Sequence, residues 1–449
     1  MIFLQEGVLM LTKTFTEGSV TKLFFRYLIP SVCGTMVTSI YIFADTIIIG
    51  KGLGLNALAA LNIILPLFNL FFGTGLLFGV GGSVLMSISR GRGEFEKGNA
   101  YYTAAFLLNL LFCLIYTAIL LCNLKKVALF LGATEATLPY VMEYIPYISF
   151  GLTAFSFSSF LQTFIRNDGA PKLAMTAVVA GGVFNVIFDI VFVYYMNFGM
   201  AGASIASVGG ALTTNAVLIL HFFSKKNNIQ FTLAGFKLSY MKDIFANGFT
   251  SFLIEIGSGI VMFVFNIQLV RYVGDIGVSL YGVISNSAIM LTCICNGITQ
   301  AAQPILSINH GAGKKERVEK LKKLGLITSF VVGSIPAIAG LIVPDLFTNI
   351  FLNPTAEILA ISSGAIRTYF LAFFVTGINL FIIGYFQSII QPAASMLLCL
   401  LRGCMLSILF VFILPIILGP YGIWITIPLA ELITTMTGVC LLKKTQSRV

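Results

Sequence analysis

Twelve stretches of this chain are long and apolar enough to cross a bilayer, a task that takes about 20 mostly apolar residues each. They lie approximately at 24–50, 57–88, 101–123, 138–162, 173–196, 201–223, 244–272, 277–308, 324–343, 358–386, 393–415 and 421–442. Several exceed the minimum length, which leaves room for tilt or bending. The chain therefore reads as an all-α integral membrane protein. Of its 449 residues 58% are hydrophobic and 10% charged, whereas soluble domains carry about 25% charged residues. Little chain is left outside the membrane. The net charge of +10 does not point to nucleic acid, because the basic residues sit in short connections between apolar spans, where they set orientation.

With the N-terminus inside, the cytoplasmic connections hold Lys13, Lys22 and Arg26; Arg90, Arg92 and Lys97; Arg166 and Lys172; Lys225, Lys226, Lys237 and Lys242; six basic residues from Lys314 to Lys323; and Lys443, Lys444 and Arg448. The outer connections hold only Lys51, Lys125, Lys126 and Arg271, while Arg367 and Arg402 fall inside spans, near their ends. This bias places both termini in the cytoplasm of a cell whose plasma (inner) membrane the chain crosses. The segment from Met1 to Phe15 lacks the basic start and the small-residue cleavage site of a signal peptide.

The sequence also repeats itself. Arg90-Gly-Arg-Gly aligns with His310-Gly-Ala-Gly at an offset of 220, FLGAT (Phe130–Thr134) with FLNPT (Phe351–Thr355) at 221, SFLQTFI (Ser159–Ile165) with GYFQSII (Gly384–Ile390) at 225, and GMAG (Gly199–Gly202) with GPYG (Gly419–Gly422) at 220. Four ordered matches at nearly one offset imply two lobes of six spans, 1–224 and 244–449, joined by a basic cytoplasmic linker at 225–243. Six is even, so the lobes are parallel repeats about an axis along the membrane normal, an architecture used for alternating access.

Polar residues inside spans are costly and mark function. Asn185 and Asp189 are four apart in the fifth span and share a helix face. Asp45 lies at similar depth in the first. If those spans adjoin, the three make one pocket, where two carboxylates stay together only with a proton or cation between them. Oxygen ligands of this kind suit a hard cation such as Na⁺. The alternative is a protonated Asp189 hydrogen-bonded to a neighbouring helix. Pro30, fifteen residues before Asp45, either lets the first span bend in response to that charge or only shapes its start. Glu255, in the seventh span, is the acid of the second lobe, and Glu431 in the twelfth is another; each either binds a cationic substrate or is satisfied locally. Asn266, Gln303 and Gln387 are candidates for lining the second lobe, or else join helices by hydrogen bonds.

The eight cysteines fall almost entirely within spans, without metal-site spacing, and the two histidines, His221 and His310, stand at span ends with no partner for a metal or nucleophile motif. A membrane enzyme is thereby disfavoured.

With these residues assembled, the sequence resembles the multidrug and toxic compound extrusion (MATE) transporters, in particular their bacterial DinF-like and MepA-like branch. The likeness covers nearly the whole chain and rests on the two six-span repeats, on FADTIIIGKGLG (Phe43–Gly54), on FNVIFDIVFV (Phe184–Val193) followed by GMAGASIAS, and on QAAQPILSINHGAG (Gln300–Gly313). The resemblance implies a monomeric antiporter that exports organic cations or amphipathic drugs in exchange for H⁺ or Na⁺, without a cofactor. It assigns the coupling-ion site to Asp45, Asn185 and Asp189, completed by a hydroxyl for which Ser204 and Ser207 are nearest, and it matches Pro30 to the family's proline before the first-span acid. Glu255 resembles the seventh-span acid of one branch, but the eighth span lacks that branch's second acid, which favours coupling in the first lobe. The competing function is a flippase for a lipid-linked precursor, which would call for a basic central cavity.

Overall fold

A computed structural model describes residues 2–232, 236–351 and 355–446. Residues 233–235 of the linker, 352–354 of the FLNPT repeat and Arg448 lie outside that range. Among the described residues every regular element is a helix. In hydrocarbon this is the expected outcome, because a helix satisfies its backbone polar groups internally.

In chain order the helices are α1 (Ile2–Glu17), α2 (Val20–Leu53), α3 (Leu55–Gly91), α4 (Phe95–Cys122), α5 (Leu124–Phe130), α6 (Leu138–Asn167), α7 (Pro171–Asp189), α8 (Gly199–Ile219), α9 (Leu238–Tyr272), α10 (Asp275–Gly311), α11 (Lys315–Ile342), α12 (Pro344–Phe351), α13 (Ala356–Phe370), α14 (Phe373–Ser388), α15 (Pro392–Leu400), α16 (Leu406–Leu418) and α17 (Tyr421–Gln446). Among the described residues twelve segments have membrane-spanning length and apolarity, one for each expected span. The ninth starts earlier than expected, at Lys315, because the basic run KERVEKLKK is helical and continues into the apolar segment. The tenth is interrupted at Leu371–Ala372, between α13 and α14. Two spans change pitch to π-helix, at Ile190–Tyr195 after α7 and at Leu401–Met405 between α15 and α16.

Two compact units result, Met1–Ile256 with Pro304–Val318, and Gly257–Gln303 with Glu319–Val449. The three divisions all fall inside helices, α9, α10 and α11. In the first unit α3 packs along α6, α8 along α6 and α7, and α2 along α7. Gly75 and Gly79 bring α3 against the backbone of Ser156 and Phe160 on α6, where a methyl group would collide, and Ser159 Oγ donates to the Phe72 carbonyl across that seam at 3.1 Å. One apolar cluster centres on Phe78, Tyr102, Phe160 and Phe164, another on Ile64, Phe71, Tyr144 and Ile148. The second unit has its own cluster around Phe265, Tyr281, Phe370, Phe373 and Trp424.

The backbone repeats as the sequence does. Left-handed φ values occur at Gly54 and Gly274, at Gly93 and Gly313, and at Gly199 and Gly419, each pair 220 apart. Gly169 (φ +89°) pairs with Ile390 (φ +55°) at 221, each just before a helix that opens on proline, Pro171 or Pro392. Proline suits this first position, where no amide hydrogen is needed.

The ends of the spans that carry Arg90, Asp168 and His221 form a buried ionic knot in the first unit. Arg90 Nη1 donates to Asp168 Oδ1 at 2.7 Å, and His221 Nε2 lies 2.7 Å from Asp168 Oδ2. The Asn228 amide donates to the same oxygen at 2.9 Å, and Arg90 Nη2 donates to the Asn228 carbonyl at 2.8 Å. This gives His221 a partner that the sequence did not show. The linker continues along α4, where the Thr232 amide donates to Thr103 Oγ1 at 2.9 Å. At the same end Arg317 Nη2 donates to the Phe15 and Gly18 carbonyls at 2.8 and 2.6 Å, joined by Asn309 Nδ2 to the Phe15 carbonyl at 3.1 Å. Those bonds satisfy carbonyls that the end of α1 leaves open.

Candidate functional site: a buried acid pair in the first unit

The site is built where α7 is thinnest. Gly181 admits Gly210 and Thr214 of α8, and Gly182 admits the ring of Tyr41 on α2. With no side chains on that turn, α2, α7 and α8 approach closely enough for residues one and two turns further along α7 to meet both neighbours. Those residues are Asn185 and Asp189, 4% and 0% exposed. Asn185 Nδ2 donates to Ser207 Oγ on α8 at 3.4 Å. The carboxyl group of Asp189 meets that of Asp45 on α2 and lies against Asn185. No N–H or O–H donor reaches either oxygen of Asp189, Oδ1 of Asp45 or Oδ1 of Asn185. Carboxylates only accept, so two in contact repel unless a proton or cation lies between them.

Beyond this point the helix geometry shifts. The π segment Ile190–Tyr195 begins directly after Asp189, and π-turns are frequent at functional sites. Tyr194 of that segment donates its hydroxyl to the Ile48 carbonyl at 3.1 Å, tying α2 down one turn beyond Asp45. Asp45 is thus held between two fixed points, Tyr41 on Gly182 and Ile48 under Tyr194.

The structure brings Asp45, Asn185, Asp189 and Ser207 into one place. Ser204, also on α8, donates instead to the Tyr144 carbonyl on α6 at 3.0 Å. Tyr144 of α6 was not anticipated: it is fully buried, its hydroxyl has no well-formed partner, and it lies beside Ser207 and near both aspartates. Its signal in the sequence is only a tyrosine in an apolar span. Pro30 is buried within α2, which runs unbroken from Val20 to Leu53. Glu255, expected in the second lobe, instead lies against Gly73 of α3 and belongs to the first unit, because the start of α9 packs there. Asn266, Gln303 and Gln387 sit on three separate helices, α9, α10 and α14.

In the second unit the polar centre is Glu431. Arg402 Nε donates to Glu431 Oε1 at 2.7 Å, and Asn379 Nδ2 donates to Oε2 at 2.6 Å and to the Glu431 carbonyl at 2.8 Å. Thr435 Oγ1 donates to Asn379 Oδ1 at 3.0 Å. Arg402 therefore stands well inside its span, in the π segment, rather than near an end. Its carboxylate partner is what makes that depth tolerable. Among the described residues no group of three or more His, Cys, Asp or Glu side chains could hold a metal ion.

An all-helical chain of twelve spans, with a buried acid pair where three of them meet, has the make-up of a polytopic membrane transporter. The sequence profile of the MatE family matches residues 30–191 and 249–419, one stretch in each half, and the chain belongs to that family of transporters, which are not enzymes. Multidrug export protein MepA of Staphylococcus saprophyticus is 22% identical over 427 residues, 95% of this chain and 94% of that protein. MepA of Staphylococcus haemolyticus is 22% identical over 437 residues, 97% and 96% of the two chains. Among solved structures, the outward-facing conformation of a multidrug resistance MATE transporter superposes with a TM-score of 0.89 at 23% identity, covering 97% of this chain and 98% of that one. A MOP superfamily transporter from Pyrococcus furiosus gives 0.88 at 23%, covering 97% of each chain.

Proposed function

We propose that this protein exports organic cations and other amphipathic compounds by antiport, with H⁺ or Na⁺ bound at the first-lobe acid pair as the coupling ion. The observation that carries the reading is the meeting of Asp45 and Asp189 at a point where no protein donor reaches Asp189. A proton or a Na⁺ ion satisfies such a pair, with Asn185 Oδ1 and the Ser207 and Tyr144 hydroxyls as further oxygen ligands. Arrival of the ion removes the repulsion between α2 and α7; its departure restores it. Because α2 is anchored on both sides of Asp45 and carries Pro30 further along, that change is transmitted as a change in the course of α2. Lobes 1–224 and 244–449, joined by the linker 225–243, then alternate access with both termini in the cytoplasm and the chain acting as a monomer. The substrate class follows from the relatives that carry the name multidrug export protein.

The driving force is modest. One pH unit supplies about 1.4 kcal/mol per proton, and the membrane potential adds about 2.3 kcal/mol per net charge per 100 mV. A one-for-one exchange of H⁺ with a monovalent cation moves no net charge and draws only on the first term.

The test is transport of a fluorescent organic cation in proteoliposomes under a pH gradient and, separately, a Na⁺ gradient. The expected result is transport under one of them that disappears in Asp189→Asn. Wild-type protein that moves no cation under either gradient, but translocates a lipid-linked precursor, overturns the reading in favour of the flippase.

A further inference from the structure

A second polar locus lies at the basic end of the first unit, away from the acid pair. A cavity of about 280 Å³ opens there between the starts of α2 and α7 and the end of α8, lined by Arg26, Lys172, Lys226, His221, Ser224 and Leu173. Its volume is close to the lower limit for small-ligand sites, about 300 Å³. Arg26, Lys172 and Lys226 are exposed, and none of them has a carboxylate partner among the described residues. The acid behind the wall, Asp168, is already engaged by Arg90, His221 and the Asn228 amide, so three cations converge on one hollow without a counter-charge. The first turn of α7, opening on Pro171, adds amides with no partner within the helix. One turn into the span from Arg26, Ile29 is 66% exposed, and Phe25 beside it is 45% exposed. The cationic hollow thus stands directly above an apolar surface at the end of a membrane span.

We infer that this cavity binds a phosphate-bearing anion, the headgroup of an anionic phospholipid or free phosphate. Basic pockets between spans are suited to such headgroups. The apolar surface below, at Phe25 and Ile29, has the character to meet the first part of a lipid's acyl chain. Free phosphate would use the cations and leave that surface unused.

The experiment uses the purified full-length protein. Binding of phosphatidylglycerol and of phosphatidylcholine is titrated by native mass spectrometry, and inorganic phosphate is titrated by thermal shift. The wild type is compared with Arg26→Gln/Lys172→Gln/Lys226→Gln, and with Lys314→Gln/Lys320→Gln/Lys323→Gln, which removes the same charge from exposed positions elsewhere. Circular dichroism and elution volume check that each variant is folded. The expected result is retention of phosphatidylglycerol over phosphatidylcholine, weakened about a hundredfold by the first triple substitution, at about tenfold or less per cation, and little changed by the second. Stabilisation by inorganic phosphate that the first triple substitution removes, without selective lipid retention, assigns the same site to the free anion. If the two triple variants behave alike toward lipid and toward phosphate, the site does not exist.

Discussion

The two halves of the chain handle a buried acid in opposite ways. Each half has a π segment in the corresponding span, Ile190–Tyr195 in the fifth and Leu401–Met405 in the eleventh. In the second half the acid near the π segment, Glu431, is neutralised by Arg402 and hydrogen-bonded by Asn379. In the first half Asp189 abuts its π segment and meets another acid, Asp45, with neither of its oxygens hydrogen-bonded. A carboxylate with a full set of partners contributes to architecture and gains nothing from an ion. One left without donors in a buried site depends on what arrives from outside. The repeat therefore provides two similar scaffolds, and the side chains placed on them separate a fastening from the acid pair proposed to take the coupling ion.

That contrast can be broken by substitution. The largest effect is expected at Asp189→Asn: gradient-driven cation transport in proteoliposomes should fall to the level of protein-free vesicles, while the melting temperature stays the same or rises, because the amide donates to Asp45. Arg402→Met should do the reverse. It leaves Glu431 buried with its charge unpaired, at a cost of about 3–5 kcal/mol, seen as a lower melting temperature in detergent. Adding Glu431→Gln should recover most of the loss. If Arg402→Met melts like the wild type, Glu431 is not a fastening and the two halves are not opposites. Asp168→Asn at the basic end should cost about 2–3 kcal/mol, with faster amide exchange at the turn between α6 and α7. The smallest effects compare the paired turns. Gly169→Ala places a side chain at φ +89°, against Leu11, and should lower stability by about 1–2 kcal/mol. Ile390→Asn relieves a β-branched residue at φ +55° and should raise it by up to about 1 kcal/mol, since asparagine tolerates that conformation better.

How much of this was legible in the sequence depends on whether the signal was local. Each of the twelve spans is a contiguous apolar run, so each declares itself. Asn185 and Asp189 share a face because helical periodicity requires it, and the Gly181–Gly182 step that lets α2 and α8 close on them stands just before them in the same run. Partnerships across helices are another matter. Arg402 meets Glu431 29 residues further along, Arg90 meets Asp168 after 78 residues, and Tyr144 comes to Asp189 through the packing of α6 on α8. Nothing in the neighbourhood of those residues announces the partner, so Arg402 read as a span-end arginine and His221 as a histidine without a mate. The π segments were equally silent, because IVFVYY contains neither proline nor glycine and the single glycine of LRGCM, Gly403, does not demand a change of pitch.

The grip of Arg317 on the end of α1 sets an order of events during biosynthesis. The bond to the Phe15 carbonyl joins residues 302 positions apart. At about 5–20 residues per second, the ribosome needs on the order of 15–60 s after completing α1 before that guanidinium exists. Throughout that interval the Gly18 carbonyl lacks this donor, and the Phe15 carbonyl waits for Asn309 of α10, made only eight residues earlier. The end of α1 gains its full set of fastenings only once residue 317 is made, so a nascent chain arrested before residue 317 should leave α1 open to protease attack, and one arrested well beyond it should not.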